Sequence, residues 1–522
     1  MKKSILASLL VPALIAGCGS SSNRSNNSGT TTTTSYQWQI VQLASVTEIN
    51  LGSNCVIYAD STDYDAAKVG EVVTAYKATA GFNILYHNTD GSIAKTFSVS
   101  DVTADGVFTV NLDEVPDDGY VTLEEAPTGS ITIIDRTMFS VQKSLLSDMV
   151  LNVTTGQSAS CVEGDDHRKA EFTTKYVTLA QASDSVSYYQ SSYDEKTVDG
   201  KSIATNLPVK YIENGTRDVL ITAFEDYEAS NNDHRTGLTY WTFVDKSKIF
   251  DENENSLSST SDMNLAYDQV MWDFSDISIP YTLSDDSAVV VLHEDNTYLW
   301  QPIYDGSYTV TVDYVTEEVD VWNSYFAGEM DLSSTGAGDW DFVSFNTLAE
   351  EPTLIELMDP SSSIIGSLTN ASVEESCNAE TDFCVDLEGV FDNDSFTHQR
   401  LHLRLEESTT GNIYFVSQTI ISKANSKPVV LEASQVEFLS PTLKQIELNL
   451  MHSDAANPVD AVQYLMTENI DTTSFAVAYA NAGNETFNDK NGYVTTAAET
   501  QSLYQKMLAT NTTIVQSAYE QP

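Results

Sequence analysis

Short alternating strand patterns are the sequence feature that most limits the fold of this chain. In residues 83–99, NILYHNTDGSIAKTFSV, two apolar-rich runs flank Asp90-Gly91, a pair typical of a tight β-hairpin turn. Similar patterns occur at 38–46 and 55–58, and Tyr, Phe, Thr and Val are abundant throughout. Long helical stripes are few, so the sequence predicts a mainly β protein with several stacked β-sandwich domains.

The strand patterns divide the chain into three predicted parts after residue 36. Residues 37–161 have the length and strand spacing of an immunoglobulin-like β-sandwich. Within them, TADGVFTVNLDEVPDDGYVTLEE resembles the prealbumin-like sandwich modules of surface proteins. Residues 162–347 predict one or more middle β domains. A β-propeller is the alternative for that part, although it has no clean repeat of the 40–45 residues typical of propeller blades.

Residues 348–522 predict a C-terminal β domain that includes one short helix near its end. In AAETQSLYQKMLAT, residues 497–510, the apolar side chains Leu503, Met507 and Leu508 fall on one helical face. We expect this helix to pack on the last sheet.

Residues 1–17 have the features of an export signal. Lys2 and Lys3 precede an apolar stretch at 5–15 that is too short to cross a bilayer. The end of that stretch, Leu14-Ile-Ala-Gly-Cys18, resembles the lipobox of bacterial lipoproteins. The resemblance implies cleavage before Cys18 and acylation of this residue, which would be the lipid attachment site.

Residues 18–36 predict a lipidated, flexible tether. The segment after Cys18 is rich in Ser, Thr, Asn and Gly, and such a composition cannot bury enough apolar surface to fold. Gly19 and Ser20 follow the cysteine where inner-membrane lipoproteins carry an aspartate. The resemblance therefore implies the outer membrane, with the lipid as the contact to the bilayer.

The chain is strongly acidic. Its formal charge is −51 over 522 residues, and loss of Lys2 and Lys3 with the signal gives −51 − 2 = −53. This charge repels nucleic acids and anionic lipid surfaces, which argues against nucleic-acid binding as a function. The same self-repulsion is screened at high ionic strength, which favours a salty environment.

Four cysteines remain after Cys18 is set aside, an even number that suits an oxidising compartment. Three pairings are open. Proximity in sequence favours Cys377–Cys384, which leaves Cys55–Cys161 as the second disulfide. A metal site is the alternative, but the chain has no CxxC pair.

Catalytic motifs are absent from the sequence, which contains no HExxH, G-x-S-x-G or phosphate-binding loop. His398 and His402 have the i, i+4 spacing of a zinc pair on a helix. However, Leu401, Leu403 and Leu405 alternate with polar residues, which indicates a strand with one solvated face. We therefore expect a protein that is not an enzyme.

One loop has calcium-like spacing, although we expect no required cofactor. The segment DENENSLSSTSD offers oxygen ligands at offsets 1, 3, 5 and 12, which are Asp251, Asn253, Asn255 and Asp262. Ser256 replaces the usual glycine, and Asp262 replaces the usual glutamate. A solvated acidic loop is the alternative interpretation. Asp392 and Asp394 in FDNDSF form a weaker second candidate.

Aromatic clusters suggest a glycan as an alternative partner. YWTF at 240–243, YLWQPIY at 298–304 and VWNSYF at 321–326 could stack on sugar rings, although strand aromatics usually lie in a core. Other expected partners are further copies of the chain or other envelope proteins.

The lipobox, the Ser/Thr tether running into SYQWQIVQLASV and the acidic strand-rich body together resemble large outer-membrane lipoproteins of marine Gram-negative bacteria, above all those of the polar flagellar sheath. The resemblance implies a non-catalytic, lipid-anchored structural protein at the cell surface that coats the sheath. A surface adhesin or polysaccharide-binding lipoprotein is the first alternative. A secreted hydrolase is the second.

Overall fold

The computed structural model describes residues 34–63, 67–125, 133–156, 160–168, 172–180, 186–191, 194–199, 207–212, 218–228, 234–249, 260–265, 270–273, 281–284, 287–294, 296–304, 309–312, 318–348, 364, 366–375, 383–387, 396–409, 412–424, 428–454, 458–467, 492–508 and 510–520. Within these ranges, no helix is both long and apolar enough to cross a membrane.

Strands dominate the described chain from its start. The first group of strands is β1 (Ser35–Thr47), β2 (Ile57–Asp60), β3 (Glu71–Lys77), β4 (Phe82–His87), β5 (Ile93–Ser98), β6 (Val107–Asn111), β7 (Tyr120–Glu125), β8 (Ile133–Gln142) and β9 (Met149–Asn152). The middle group is β10 (Phe172–Val177), β11 (Tyr188–Ser191), β12 (Asp194–Asp199), β13 (Leu207–Ile212), β14 (Val219–Glu228), β15 (His234–Val244), β16 (Asn264–Leu265), β17 (Val270–Asp273), β18 (Tyr281–Leu283), β19 (Ala288–His293), β20 (Asn296–Pro302), β21 (Thr309–Val312), β22 (Val321–Asp331) and β23 (Asp339–Thr347).

The last part of the chain adds strands and helices. These elements are β24 (Ser372–Glu375), β25 (Phe383–Asp386), β26 (His398–Thr409), β27 (Asn412–Lys423), β28 (Thr442–Ser453), α1 (Pro458–Thr467), β29 (Tyr493–Val494), α2 (Ala497–Leu508) and β30 (Thr512–Glu520).

The predicted hairpin is confirmed as β4 and β5, which pair antiparallel. Gly91 adopts φ +84°, a left-handed conformation that glycine accepts without steric cost. The Asp90 carboxylate accepts a 3.0 Å hydrogen bond from the Ser92 amide and so closes the turn. A side chain at Gly91 would also meet the Val430 carbonyl oxygen, because its Cβ would lie 2.4 Å from that atom.

A 13-stranded sheet forms the centre of the fold. Its order is β20-β19-β22-β23-β30-β28-β26-β27-β8-β7-β4-β5, and β18 pairs with β22 off that path. The junction between its early and late strands is the parallel pairing of β8 with β27. Strands from all three predicted domain ranges therefore share one sheet, and the boundaries after residues 161 and 347 stay predictions.

Two smaller sheets pack against the central one. The six-stranded sheet has the order β2-β3-β1-β9-β29, with β6 on β1, and the five-stranded sheet has the order β12-β11-β14-β15-β16. Alternation along β19 shows the layering: Ala288 and Val290 join a core with the six-stranded sheet and the helices. Val289 and Val291, on the opposite face, join a core with β14 and β15. Both faces of β19 are thus covered.

The mainly β fold with several packed sheets is confirmed. The β-propeller alternative for residues 162–347 is not supported, because the described strands there form two-stranded pairs, the five-stranded sheet and one end of the central sheet.

The predicted C-terminal helix is confirmed as α2, but β30 follows it and α1 was not predicted. Thr496 and Glu499 form a capping box that fixes the start of α2, with the Glu499 side chain 2.8 Å from the Thr496 amide. Leu503 and Met507 are buried in the same core as Val462 and Leu465 of α1.

Candidate functional site

The disulfide predicted between Cys55 and Cys161 is present, with Cα atoms 5.6 Å apart. It holds the segment after β9 beside β2 and β3, where Cys161 also forms a β-bridge with Tyr76. Cys384 is disulfide-bonded as well. Cys377, its predicted partner, lies outside the described residues, so the second pairing stays a prediction.

Most of the predicted calcium loop lies outside the described residues, as does the lipid attachment residue Cys18. Asp251, Asn253 and Asn255 fall in the undescribed range. Asp262 is described and exposed, directly after Ser261, which is buried and bridged to Leu179. Asp392 and Asp394 are likewise outside the described ranges. The calcium interpretation stays a prediction at both places.

The aromatic segments considered for sugar stacking contribute core side chains. Trp241, Tyr298 and Trp300 are each no more than 1% exposed. Trp300 contacts the rings of Trp241 and Trp322 at centroid distances of 5.3 Å and 4.7 Å. These rings link the five-stranded sheet to the central sheet and offer no stacking surface to a glycan.

His398 and His402 lie on β26, which confirms the predicted strand. Four residues along a strand span about 13 Å, so the pair cannot share one metal ion. Nδ1 of His402 lies 3.0 Å from the Thr419 hydroxyl. Burial lowers the pKa of both histidines. The face is more enclosed than predicted, because His398 is only 9% exposed.

His87 is another histidine with a structural role. It is fully buried on β4, and Nε2 lies 2.9 Å from the Glu432 carbonyl oxygen. Nδ1 lies 3.1 Å from the Thr122 hydroxyl, which in turn contacts the Ser140 hydroxyl. Both ring nitrogens are therefore engaged in holding β4 to its neighbours, away from solvent.

A group of three metal-ligating side chains does occur, at a place that the sequence did not indicate. Asp218, His293 and Glu294 each place one ligand atom within 4.8 Å of the others. Asp218 directly precedes β14 of the five-stranded sheet. His293 ends β19 of the central sheet, and Glu294 begins the turn to β20. We refer to these three residues as the His293 cluster.

Backbone geometry brings His293 and Glu294 together. Adjacent residues of a regular strand project to opposite faces. Glu294 instead adopts φ +47°, which ends the extended conformation of β19. Its amide donates a 2.9 Å hydrogen bond to the Asp320 carboxylate, and the Asp320 amide donates a 2.8 Å hydrogen bond to the Leu292 carbonyl. The turn is therefore held in place by the residue that precedes β22.

The tautomer of His293 follows from its contacts. Nδ1 bonds to the backbone carbonyl of Glu318, and a carbonyl oxygen only accepts hydrogen bonds, so Nδ1 carries a proton. Nε2 then lies 3.9 Å from Oδ2 of Asp218. The ring is 12% exposed and stacks on Phe243 at a centroid distance of 4.0 Å.

Electrostatics favour positive charge at this position. Burial lowers the pKa of His293, but the Asp218 carboxylate, the Glu318 carbonyl and the charge of Glu294 together outweigh it, so the pKa is raised overall. Asp218 is itself fixed, since its carbonyl accepts a 3.3 Å hydrogen bond from the Tyr298 hydroxyl. The cluster combines a largely buried imidazole, a partly buried Asp218 and an exposed Glu294, and one imidazole nitrogen lies near both carboxylates.

Comparison with known proteins adds no identification. No protein-family model matches the chain, no curated protein matches it, and no solved structure matches it. Function is therefore inferred from the residues and contacts of this chain.

Proposed function

We propose that the chain is a non-catalytic, lipid-anchored structural protein of the bacterial outer membrane, held through Cys18. The observation that carries the proposal is the lipobox-like Leu14–Cys18 segment, followed by a polar stretch that leads directly into β1. Two or three acyl chains on one residue make a stable anchor, because each buried CH₂ contributes about 0.8 kcal/mol.

β1 is the strand to which the predicted tether connects, so a force on the anchor would act along this strand. β1 lies inside the six-stranded sheet, antiparallel to β3 and β6 and parallel to β9. Ladder hydrogen bonds run across the strands, so a pull along β1 loads many of them together. Trp38 adds a fully buried ring, and its Nε1 donates a 3.2 Å hydrogen bond to the Ser147 carbonyl.

The disulfide supports a location outside the reducing cytosol. Disulfides persist in oxidising compartments and are rare in cytosolic proteins. The bond between Cys55 and Cys161 ties the end of the first module to the strands that follow the predicted tether. A surface protein exposed to varying conditions gains stability from such a covalent link.

The acidic surface supports a coating role. A formal charge of −51 keeps a dense layer hydrated and repels other anionic surfaces. Within the outer membrane, the flagellar sheath is the specific location that we propose, with other copies of the chain or envelope proteins as neighbours. Nucleic acid is not among the proposed partners.

Substitution of the acylated residue tests the anchor. In the native host, the wild-type protein is expected in the outer-membrane fraction, with an N-terminal mass that includes acyl chains. Cys18→Ser removes the thiol, so acylation and the associated cleavage are expected to stop. Ser20→Ala, two residues further on, is the matched control and keeps the lipid. An unmodified amino terminus in the wild-type protein would contradict the proposal.

Immunogold labelling of intact cells tests the specific location. Particles along the flagellum support the sheath, whereas label over the cell body alone retains the outer-membrane anchor and rejects the sheath. Protein found only inside the periplasm rejects the surface role.

A further inference from the structure

We propose that the His293 cluster binds a divalent transition-metal cation, with Zn²⁺ as the probe ion. The ligands are Nε2 of His293 and one carboxylate oxygen each from Asp218 and Glu294. This inference is independent of the lipid anchor, because none of the three residues belongs to the N-terminal region.

The donor set selects the class of ion. Imidazole suits zinc, copper, iron and nickel, whereas calcium and magnesium take oxygen ligands. Two carboxylates complete a set of three protein ligands, which leaves one position for water. The site is thus chemically distinct from the oxygen-only loop around Asp262.

The spacing fits after a small closure. Zinc bonds of about 2.0–2.1 Å in a tetrahedron place neighbouring ligand atoms roughly 3.4 Å apart. Nε2 of His293 and Oδ2 of Asp218 are 3.9 Å apart, and all three ligand atoms lie within 4.8 Å of one another. Side-chain movements that shorten the His293–Asp218 distance by about 0.5 Å, and the other distances by at most about 1.4 Å, therefore complete the coordination.

The surrounding contacts already have the form of an outer shell. Metal-binding histidines usually donate the other ring N–H to a carbonyl or carboxylate, which leaves the free nitrogen for the metal. Nδ1 of His293 does this with the Glu318 carbonyl. Tyr298 holds the Asp218 backbone, and Asp320 holds the Glu294 backbone.

The distance at Nε2 also points to a small cation. Nε2 of His293 and Oδ2 of Asp218 are 3.9 Å apart, which is longer than a hydrogen bond and is the distance of an ion pair when His293 is protonated. The same separation is wide enough to accept a metal ion in place of the proton. A metal ion between them would contact both. It would also join the start of β14 in the five-stranded sheet to the β19–β20 turn of the central sheet.

Metal titration of the purified, disulfide-bonded full-length protein tests the site. After chelator treatment, Zn²⁺ is added in the presence of millimolar Mg²⁺, which occupies weak acidic positions. We expect one tightly held equivalent per chain and a higher thermal unfolding midpoint. Substitution with Co²⁺ is expected to give a visible absorption spectrum, and X-ray absorption at the zinc edge is expected to show one imidazole ligand.

Matched variants distinguish metal binding at the His293 cluster from nonspecific binding to other acidic residues of the chain. His293→Gln is expected to weaken binding by roughly 100-fold or more, since loss of even an outer-shell partner costs about 10- to 100-fold. Asp226→Asn removes the same charge as Asp218→Asn but from an exposed position on β14, so it is expected to retain wild-type affinity.

Three results would overturn the proposal. They are a wild-type chain that holds no equivalent of Zn²⁺ under these conditions, a zinc-edge spectrum without imidazole, and equal loss of binding in Asp218→Asn and Asp226→Asn. The first two are measured on the wild-type protein and do not depend on how the variants fold. In the first case, a proton rather than a metal ion would occupy the position between His293 and Asp218.

Discussion

The backbone amide of Ser434 donates a 2.6 Å hydrogen bond to Oε1 of Glu124, joining residues 310 positions apart in the chain. Glu124 is fully buried on β7, and its carboxylate also accepts from the Ser434 hydroxyl and from Asn83, the latter at 2.9 Å. Arg136 supplies positive charge 3.9 Å away. Ser434, late in the chain, thus completes the hydrogen bonds of a buried carboxylate on β7, an early strand.

Replacement of this carboxylate is expected to be costly. Glu124→Ala leaves the donors of Ser434 and Asn83 without this acceptor and the charge of Arg136 without its ion-pair partner. We therefore expect the free energy of unfolding to fall by about 3 kcal/mol. Glu225→Ala, at an exposed position on β14, should change it by no more than about 0.5 kcal/mol. Urea denaturation of both variants measures the difference, and equal midpoints would show that the buried contacts contribute little.

The turn at Gly91 is expected to tolerate no side chain. Gly91→Ala combines a left-handed backbone with a Cβ that would lie 2.4 Å from the Val430 carbonyl oxygen. Gly336 has a similar φ of +86° but open space around the Cβ position, so Gly336→Ala isolates the backbone term at about 1–2 kcal/mol. We expect a clearly larger loss of unfolding free energy at Gly91. Thermal and urea unfolding that rank the two alike would contradict this.

Removal of the Cys55–Cys161 disulfide is expected to destabilise the protein. The bond closes a loop with a sequence separation of 106, for which the chain-entropy argument gives about 5 kcal/mol. The double variant Cys55→Ser with Cys161→Ser is therefore expected to unfold at lower urea concentration under oxidising conditions. A loss below about 1 kcal/mol would mean that the unfolded chain is already restricted without the bond.

Acid is expected to weaken the fold partly through His87. Burial lowers the pKa of His87 to about 4, below the ordinary value of 6.5. Between these pH values the unfolded chain binds more protons, so the free energy of unfolding falls as pH drops through this range, by up to about 3 kcal/mol from this residue. Above pH 6.5, His87 is neutral in both the folded and the unfolded chain, so it does not change how the free energy of unfolding depends on pH.

The measurement is urea denaturation from pH 7 to pH 4 in the wild-type protein and in His87→Gln. The variant is expected to show a shallower decline towards low pH, because the neutral amide does not titrate. His398 also has a lowered pKa, and it contributes equally to the pH dependence of unfolding in the wild-type protein and in the variant. Identical slopes would mean that His87 is protonated in the folded state without cost.

Local features of the fold were predictable where a few neighbouring residues determine them. Asp90-Gly91 indicated the hairpin because only certain residues accept that turn, and the apolar spacing around Leu503 indicated α2. By contrast, β30 after this helix was not predicted, because its pairing partners are β23 and β28. These partners lie far away in the chain and are not visible in a short segment.

Long-range arrangements were not predictable from patterns. The parallel pairing of β8 with β27 depends on strands far apart in sequence, and each strand alone would suit many neighbours. The His293 cluster could not be predicted for the same reason, because Asp218 and His293 become neighbours only when two sheets pack. The one local signal was the polar His293-Glu294 pair directly after the apolar run Val289–Leu292.

The pairing of β8 with β27 also has a consequence for folding. Ile133 and Ile413, which are partners in this ladder, lie 413 − 133 = 280 positions apart, so the edge of β8 is paired only when a distant part of the chain reaches it. Until then this edge presents unpaired amides and carbonyls, which can pair with a strand of another copy of the chain. The topology therefore makes the edge of β8 the place where misassembly between incompletely folded copies would begin.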